Sequence, residues 1–549
     1  MLTSVLSEQE GSGFGHAPLE EQSAHARAYS PAPTAEGELV QDPEFLLPTT
    51  AGPLQWQLFY HSFRAHADSE WGYGRKASWP TRLCARASGG VTTVLLERED
   101  GNVVQYVDGG SGFTPASPRR FDRLTGSPET GWAETRFDTG ATFHYPAGSF
   151  ASLSYFETPH GRRVTFHYDV GQRLQSIEEP AGRRVTYRYN GASRVREVED
   201  WASRIHTLSY NGAGDLTQVQ GPTGCLTQYG YDSRHRLISI TDPEGFGTTF
   251  TYDRQNRLRT RSVAGDLGRY EYHDGEQRAT IYTDPLGHVW TTVLDRQGNI
   301  IREVDPIGAE RRAVYNAKGL PTSWQDALGY RTTVGYDANG RETSRVDPLG
   351  HRRTHTYDQY GNPRTQQNAL GYVWTYEYDG PRRLLLSEMN PKGETTLYGY
   401  TGWGALEYSR TPLGFRTTSV WDSAALGNQV ATVDPLGHRT TWTHDAAGNV
   451  RTEQDPLRRV TTWTYDAAGR QTTSMNGVGA VRTTVYDGVG NVQVEVDPCG
   501  FRTTFAYNAR GSETERRDAR GESWTTVYSP VGLETGRVDP FGHRTSSLY

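Results

Sequence analysis

The stretch His438-Arg439-Thr440-Thr441-Trp442-Thr443-His444-Asp445-Ala446-Ala447-Gly448-Asn449-Val450-Arg451-Thr452-Glu453-Gln454-Asp455-Pro456 reads as strand, turn, strand and the start of a second turn. In the run before each aromatic mark, residues alternate with the period of two that a half-buried strand requires. Thr461, Trp463 and Tyr465 share one face, as do Thr503, Phe505 and Tyr507. Arg459, Thr462 and Thr464, or Arg502, Thr504 and Ala506, are assigned to the other. The run after the turn, for example Val492-Gln493-Val494-Glu495-Val496, alternates again and supplies the return strand. An aromatic stripe inside and an Arg/Thr stripe outside are expected.

The unit recurs about every 21 residues from Tyr168 to Tyr549, each time marked by an aromatic followed by a small polar or acidic residue. The marks include Tyr168, Tyr189, Tyr210, Tyr231, Tyr252, Tyr315, Tyr336, Tyr357, Tyr378, Tyr465, Tyr486, Tyr507 and Tyr528, which are expected to be structural aromatics of the repeat. The spacing slips only around Tyr272, Tyr400 and His444, by one or two residues. Rare, small insertions are what stacking on neighbours permits.

Two turn families join the strands. Asp284-Pro285-Leu286-Gly287, Asp347-Pro348-Leu349-Gly350, Asp434-Pro435-Leu436-Gly437 and Asp539-Pro540-Phe541-Gly542 place Asp first, Pro second and Gly fourth. Those are the preferences of a type I turn closed by a glycine bulge. Related forms stand at Asp242-Pro243-Glu244-Gly245, Asp305-Pro306-Ile307-Gly308 and Asp497-Pro498-Cys499-Gly500. At the other end of the hairpin come Asp337-Ala338-Asn339-Gly340, Asp445-Ala446-Ala447-Gly448 and Asp466-Ala467-Ala468-Gly469. Two turns per unit make a continuous antiparallel meander.

Nineteen marks with two strands each imply roughly 38 strands, against the ~10 an open twisted sheet tolerates before curling or splitting. An all-β strip winding on itself is therefore expected, its length on the order of 180 Å. The pattern leaves open which face is inner. A β-propeller is the rival, but consecutive units look equivalent and the count exceeds the usual blades.

These dyads, with Gly-Arg or Gly-Asn after them and Asp-Pro-x-Gly between them, resemble the YD-repeat or Rhs proteins. The resemblance covers about the last 380 residues. It implies a spiral shell, or β-cocoon. Upstream, Gly52-Pro53-Leu54-Gln55-Trp56-Gln57-Leu58-Phe59-Tyr60-His61-Ser62 and Gly72-Tyr73-Gly74 look like the segment before the repeats in that family, with Leu58 where Arg is usual and Arg75 where Trp is usual.

Three segments are expected: a disordered lead at 1–45, a small β-rich N-terminal module at 46–150, and the repeat array at 151–549. In the module, Val91-Thr92-Thr93-Val94-Leu95-Leu96 followed by Asp100-Gly101-Asn102 suggests a hairpin. Gly 61 and Tyr 32 with only Met 3 mark a turn-rich β chain. Cys84, Cys225 and Cys499 are odd in number and far apart, so no disulfide framework or zinc spacing is visible. No run approaches a ~20-residue membrane span, and the start lacks the basic and apolar regions of a signal peptide.

Sharper readings compete with bland ones. A catalytic pair needs convergent geometry at one place, whereas neighbouring Tyr and Asp in a strand point apart, so core tyrosine and turn aspartate are expected, and no enzyme. His288, His351, His438 and His543 each follow an Asp-Pro-x-Gly turn. A metal would need three or four groups around one point, so these read as turn histidines, with no metal and no cofactor. The Arg residues at 331, 416, 439, 482 and 502 sit in a chain of net charge −7, which gives no footprint for nucleic acid, and cross-strand Arg–Glu pairs are expected instead. Aromatic faces with Asp and Arg also suit sugars, so a cell-surface carbohydrate-binding or adhesion protein is the alternative.

The resemblance implies a non-catalytic shell of an Rhs-type polymorphic toxin. In that family, and in the similar shells of insecticidal toxin complexes, the cocoon encloses a variable toxin released by an aspartyl self-protease. No Asp-Pro-x-Gly-Leu-x-Gly-Gly run occurs here, and the array is in register at Tyr549. The expectation is a shell whose cargo toxin domain or shell-closing region is supplied from outside these residues. A secretion-apparatus adaptor at the N terminus and possible glycans are the other expected partners. The expected location is secreted or cell surface, cytoplasmic before export.

Overall fold

The structure, a computed structural model, describes residues 40–41, 58–77, 79–88, 91–98, 103–109, 112–116, 122–275, 278–422 and 427–547. Most of the expected lead, the stretch Gly52 to Gln57, the turn Asp100-Gly101-Asn102 and the last mark, Tyr549, lie outside the described residues. Among the described residues the regular elements are strands, apart from two three-residue 3-10 helices, Ser62–Arg64 and Gly380–Arg382. The all-β expectation holds.

One unit shows how the sequence builds the sheet. The strand Val460–Tyr465 pairs with Gln471–Met475 through Thr462↔Met475, Trp463↔Ser474 and Thr464↔Thr473, then the register shifts so that Tyr465 faces Gln471. The turn between them closes with Gly469 N–H on the Asp466 carbonyl and Asp466 N–H on the Arg470 carbonyl, 2.9 Å each. Gly469 has φ of +80°, which L side chains rarely adopt. The aromatic mark thus sits at a bulge, where the strand twists most. Arg459 is corrected: it closes the preceding turn, with Nε on Asp455 Oδ2 at 2.6 Å, and is no part of the outer strand stripe.

The slip at Tyr272 has a local cause. Val263 pairs with Asp266 across a two-residue hairpin at Ala264 and Gly265, both at positive φ, instead of the four-residue turn. The unit is shortened there and recovers its beat by Leu294.

Near its start the strip closes on itself. Strands Arg82–Ser88 through Thr142–Tyr145 form a meander. Phe150–Ser152 then returns to pair with Arg82–Ser88, while Tyr155–Glu157, three residues on, pairs with Thr142–Tyr145. Tyr155–Glu157 also pairs with Arg163–Tyr168, which launches the regular array. At the other end of the strip, among the described residues, Arg544–Ser546 pairs with Glu534–Val538.

Beyond that, the strip is a spiral. Glu244 Oε1 accepts from Gly488 N–H at 2.6 Å, Arg383 donates to the carbonyls of Phe137 and Asp138 at 3.1 Å, and Arg510 pairs with Asp266 at 3.4 Å. The separations are 244–246 residues, so 23 strands, from Gly247–Tyr252 to Val481–Tyr486, make one turn. At strand spacing that is about 110 Å of strip. The seam has a polarity: turns of the Asp-Pro-x-Gly series in the lower course meet turns that follow aromatic marks in the upper one.

The N-terminal segment decides which face is inner. Leu58–His61 and Arg75–Ala77 pair with each other, and side chains around them pack on the aromatic face of the first units. Trp79 lies 5.6 Å from Phe166, Trp71 meets Tyr187 edge-on at 6.1 Å, and Tyr73 stacks on His235 at 3.7 Å. Phe166, Tyr187, Leu208, Tyr229 and Phe250, two residues before successive marks, are buried as a result. The corresponding residues of the second course, such as His355, Tyr376, Tyr398, Trp442, Trp463 and Phe505, are only half-buried.

Candidate functional site

A turn aspartate can satisfy the N–H groups that a tight turn leaves unpaired. Asp169 Oδ1 accepts from Gly171 and Arg173 N–H at 2.8 and 2.9 Å, and Oδ2 from Arg173 Nε at 2.8 Å. The backbone bond from Arg173, with its side-chain bond, holds this carboxyl below the usual range. The same arrangement recurs at Asp337 and Asp466 with Arg, and at Asp358, Asp445 and Asp487 with Asn at the fifth position.

The fifth-position arginine then reaches the next unit. Arg341 donates from Nη1 to the Asp358 carbonyl at 3.1 Å, and its guanidinium lies 4.7 Å from the centre of the Tyr357 ring. Arg173, Arg236, Arg257 and Arg470 stack on Tyr189, Tyr252, Tyr272 and Tyr486 at 4.5–5.2 Å. Each cation–π contact of this kind contributes about 0.5–1 kcal/mol at an exposed site. The sequence reading noted Gly-Arg after the dyads without assigning the Arg a role. The signal that finds it is the Asp-to-Arg spacing of four.

The tyrosines complete a ladder. The hydroxyls of Tyr168, Tyr189, Tyr210, Tyr252, Tyr315, Tyr336, Tyr357, Tyr465, Tyr486 and Tyr507 donate to the carbonyl fifteen residues back, at 2.7–2.9 Å. Trp421 does the same with its indole N–H, to Leu406 at 2.8 Å. Burial raises the phenol pKa at Tyr168, Tyr189, Tyr210, Tyr252, Tyr357, Tyr465 and Tyr507, and to about 12 at Tyr378. Tyr528 stands at the same register position, facing Glu534. Tyr231 differs: its oxygen accepts from Arg75 Nε and Nη2 at 2.9 and 2.6 Å. Arg75, 4.5 Å over Tyr229, thus locks the N-terminal segment to the array.

In the other turn family, Asp284, Asp347, Asp434 and Asp539 cap turns closed by Gly287, Gly350, Gly437 and Gly542, all at positive φ. Pro285, Pro348, Pro435 and Pro540 occupy the second position, where their fixed φ fits and no N–H is needed. His288, His351, His438 and His543 each turn Nδ1 to the Oδ2 of their own aspartate, at 2.8–3.0 Å. They do not converge, and among the described residues no group of three His, Cys, Asp or Glu could hold a metal.

The expected Arg–Glu cross-strand pairs occur elsewhere. Arg184 meets Glu178 and Arg188 meets Glu199, but Arg331 donates to Ser323 and Arg416 stacks on Tyr408. In the N-terminal module Arg98 bridges Asp122 and the fully buried Glu134 at 2.6 Å each, with Tyr106 also on Glu134. A cavity of about 140 Å³ beside it is lined by charges paired among themselves, Arg64 and Lys76 with Glu97 and Arg82 with Glu70. Neither arrangement joins a nucleophile to a base. Among the described residues no helix is long and apolar enough to cross a membrane.

The family described as RHS Repeat matches residues 210–247, 231–269, 315–353, 425–459 and 444–479. No curated protein matches the chain by sequence. The crystal structures of TcdB2-TccC3-TEV and TcdB2-TccC3-Cdc42 are similar in fold, with TM-scores of 0.53 and 0.54 at 12% identity. They align over 95% and 96% of this chain, which spans 34% of each of theirs. With five repeat matches on a strip whose units repeat one turn geometry, this chain is a YD/RHS-repeat protein.

Proposed function

We propose that the protein is a non-catalytic scaffold, the wall of a shell that encloses a cargo polypeptide. The observation that carries this reading is the contrast between the two courses. The first has its aromatic face filled by the N-terminal segment, while in the second the equivalent residues, Tyr376, Tyr398, Trp442 and Trp463, are only half-buried among the described residues. Polar partners interleave these rings, as where Trp442 Nε1 donates to Glu453 Oε2 at 3.0 Å. Such a wall can hold an unfolded chain without one fixed binding mode. The names TcdB2-TccC3-TEV and TcdB2-TccC3-Cdc42 join different third components to the same pair, in keeping with exchangeable cargo.

On this reading, residues 1–45 are a lead that docks an export adaptor, 46–150 the module that starts and plugs the shell, and 151–549 its wall. The tyrosine marks and Asp-Pro-x-Gly turns are its structural residues. The protein acts outside the producing cell, on a toxin cargo. The test is to append an unstructured reporter peptide to the carboxy terminus and follow its digestion by a nonspecific protease. Protection relative to the same peptide on a folded carrier is expected; digestion at the carrier's rate overturns the scaffold.

The interleaved Trp and Glu also favour a second reading, glycan binding at the same wall. It predicts saturable binding on a polysaccharide array that is lost in Trp442→Ala and Trp463→Ala.

A further inference from the structure

Two strips of one repeat, laid edge to edge, can slide by a whole unit and meet the same kinds of group, so a repeating pattern specifies its register weakly. The regular turns of the seam have this ambiguity. Glu244 takes the N–H of Gly488, a turn position held elsewhere by Ala446, Ala467 and Ala509, and Arg204 lies against Gly469, where most units also have glycine. Yet one offset runs along the seam, 244–246 residues at Arg383, Gly488 and Arg510 alike. What holds it has to be something that does not repeat.

The 21-residue beat breaks between Tyr252 and Tyr272, between Tyr378 and Tyr400, and between Trp421 and His444, and each break lies on the seam. In the second, the turn from Asp379 to Leu384 has one residue more than its neighbours, with a 3-10 turn at Gly380–Arg382 and Arg383 at φ +56°. Arg383 reaches the N-terminal module, donating from Nη1 to the Asp138 carbonyl and from Nη2 to the Phe137 carbonyl, both at 3.1 Å. A Cβ on Gly140 would lie 2.8 Å from its Nε, so the turn beneath it needs glycine. That turn is pinned from below: Phe137 N–H donates to Asp122 Oδ1 at 2.9 Å, and Asp122 Oδ2 is held by Arg98, which also holds the buried Glu134. At the third break Gly427 lies against Arg162, whose Nη2 is 3.5 Å from where a Cβ would stand. At the first, the two-residue hairpin at Ala264 and Gly265 is followed directly by Asp266, 3.4 Å from Arg510.

We propose that the breaks in the beat are registration keys, which fix the unit of the lower course on which each unit of the upper course stands, with Arg383 on the N-terminal module as the first. The Phe137-Asp138 turn belongs to the module and not to the array, so its pair of carbonyls marks a single place on the rim. A guanidinium fork suits two neighbouring acceptors, and an ammonium does not. The buried Arg98–Asp122–Glu134 network thereby gains a role outside the module's own core, since it holds the post on which Arg383 lands. The inference concerns the wall itself and stands apart from whether the interior holds cargo.

The experiment measures the distance between the courses by double electron–electron resonance on the full chain. Nitroxides are placed at the exposed positions Thr249→Cys and Val485→Cys, with Cys84→Ser, Cys225→Ser and Cys499→Ser removing the native thiols. A single distance is expected in this background. The variant Arg162→Ala/Asp266→Ala/Arg383→Ala takes one side chain from each break, and it should add a second population displaced along the seam by one unit, two strands or about 10 Å. Arg470→Ala, which removes a clamp that recurs through the array, should leave the single distance in place. An unchanged single distance in the triple variant overturns the proposal and assigns the pitch to the twist of the strip alone. Should the triple variant lose its far-UV circular dichroism signal, Arg383→Lys decides, with a broadened distance expected and an unchanged one overturning the keys.

Discussion

The hydroxyl of Tyr465 donates to the carbonyl of Val450 at 2.7 Å, tying the end of one strand to the start of the return strand in the unit before. Because the register shifts at each aromatic mark, the ladder alone cannot hold that corner, and the phenol does. Tyr465→Phe is expected to cost about 0.5–1.5 kcal/mol, the usual net value of one hydrogen bond. Hydrogen exchange should rise in Val450–Gln454 and Val460–Tyr465 while distant units are unaffected, since contacts are between neighbours.

Arg458 occupies the fourth position of its turn at φ +65°, where most units have glycine. A non-glycine residue there is strained by roughly 1–2 kcal/mol. Arg458→Gly keeps the N–H bond to the Asp455 carbonyl and should raise the urea midpoint of the array. An unchanged or lowered midpoint would show that the side chain contributes more than the strain removes.

Acid should dismantle the turns together. The Arg173 backbone bond holds the Asp169 carboxyl low, and the His543 side-chain bond does so at Asp539. Groups whose folded pKa is depressed stabilise the fold fully above their unfolded pKa, about 4, and lose that contribution as pH falls through the folded values. The circular dichroism signal at fixed mild urea should be flat from pH 8 to about pH 5 and fall below about pH 4. A loss centred near pH 6.5 would instead implicate the histidines.

Removing residues 445–465 takes out one whole unit and leaves the remaining strands paired in the same sense. It slides the upper course one unit past Glu244, so the seam bond to Gly488 must be remade with the next turn. A modest drop in thermal midpoint is expected. Deleting about ten residues removes a single strand, reverses the chain direction and puts every later side chain on the wrong face. Equal tolerance of both deletions would sink the paired-hairpin description.

Much of this was legible because it is local. The alternation of Trp463 and Tyr465, the Asp and Gly of each turn, and the beat of the aromatic marks act within one unit and are repeated until the pattern is unmistakable. The arginine at the fifth position was visible as Gly-Arg, but its contact is with the next unit's ring, Arg341 on Tyr357, and a period does not say which neighbour a long side chain reaches. The slip at Tyr272 was visible as a number, and only the backbone at Ala264 and Gly265 supplies its cause.

By itself the amino-acid sequence determined that this chain is an antiparallel β meander of repeated units with two turn families, because strand period and turn chemistry depend on residues a few positions apart. The tertiary structure decided the pitch of 244 residues and the face that the N-terminal segment fills. Those follow from twist accumulated over 23 strands and from packing between residues more than a hundred positions apart, such as Arg75 and Tyr231, which no 21-residue period encodes.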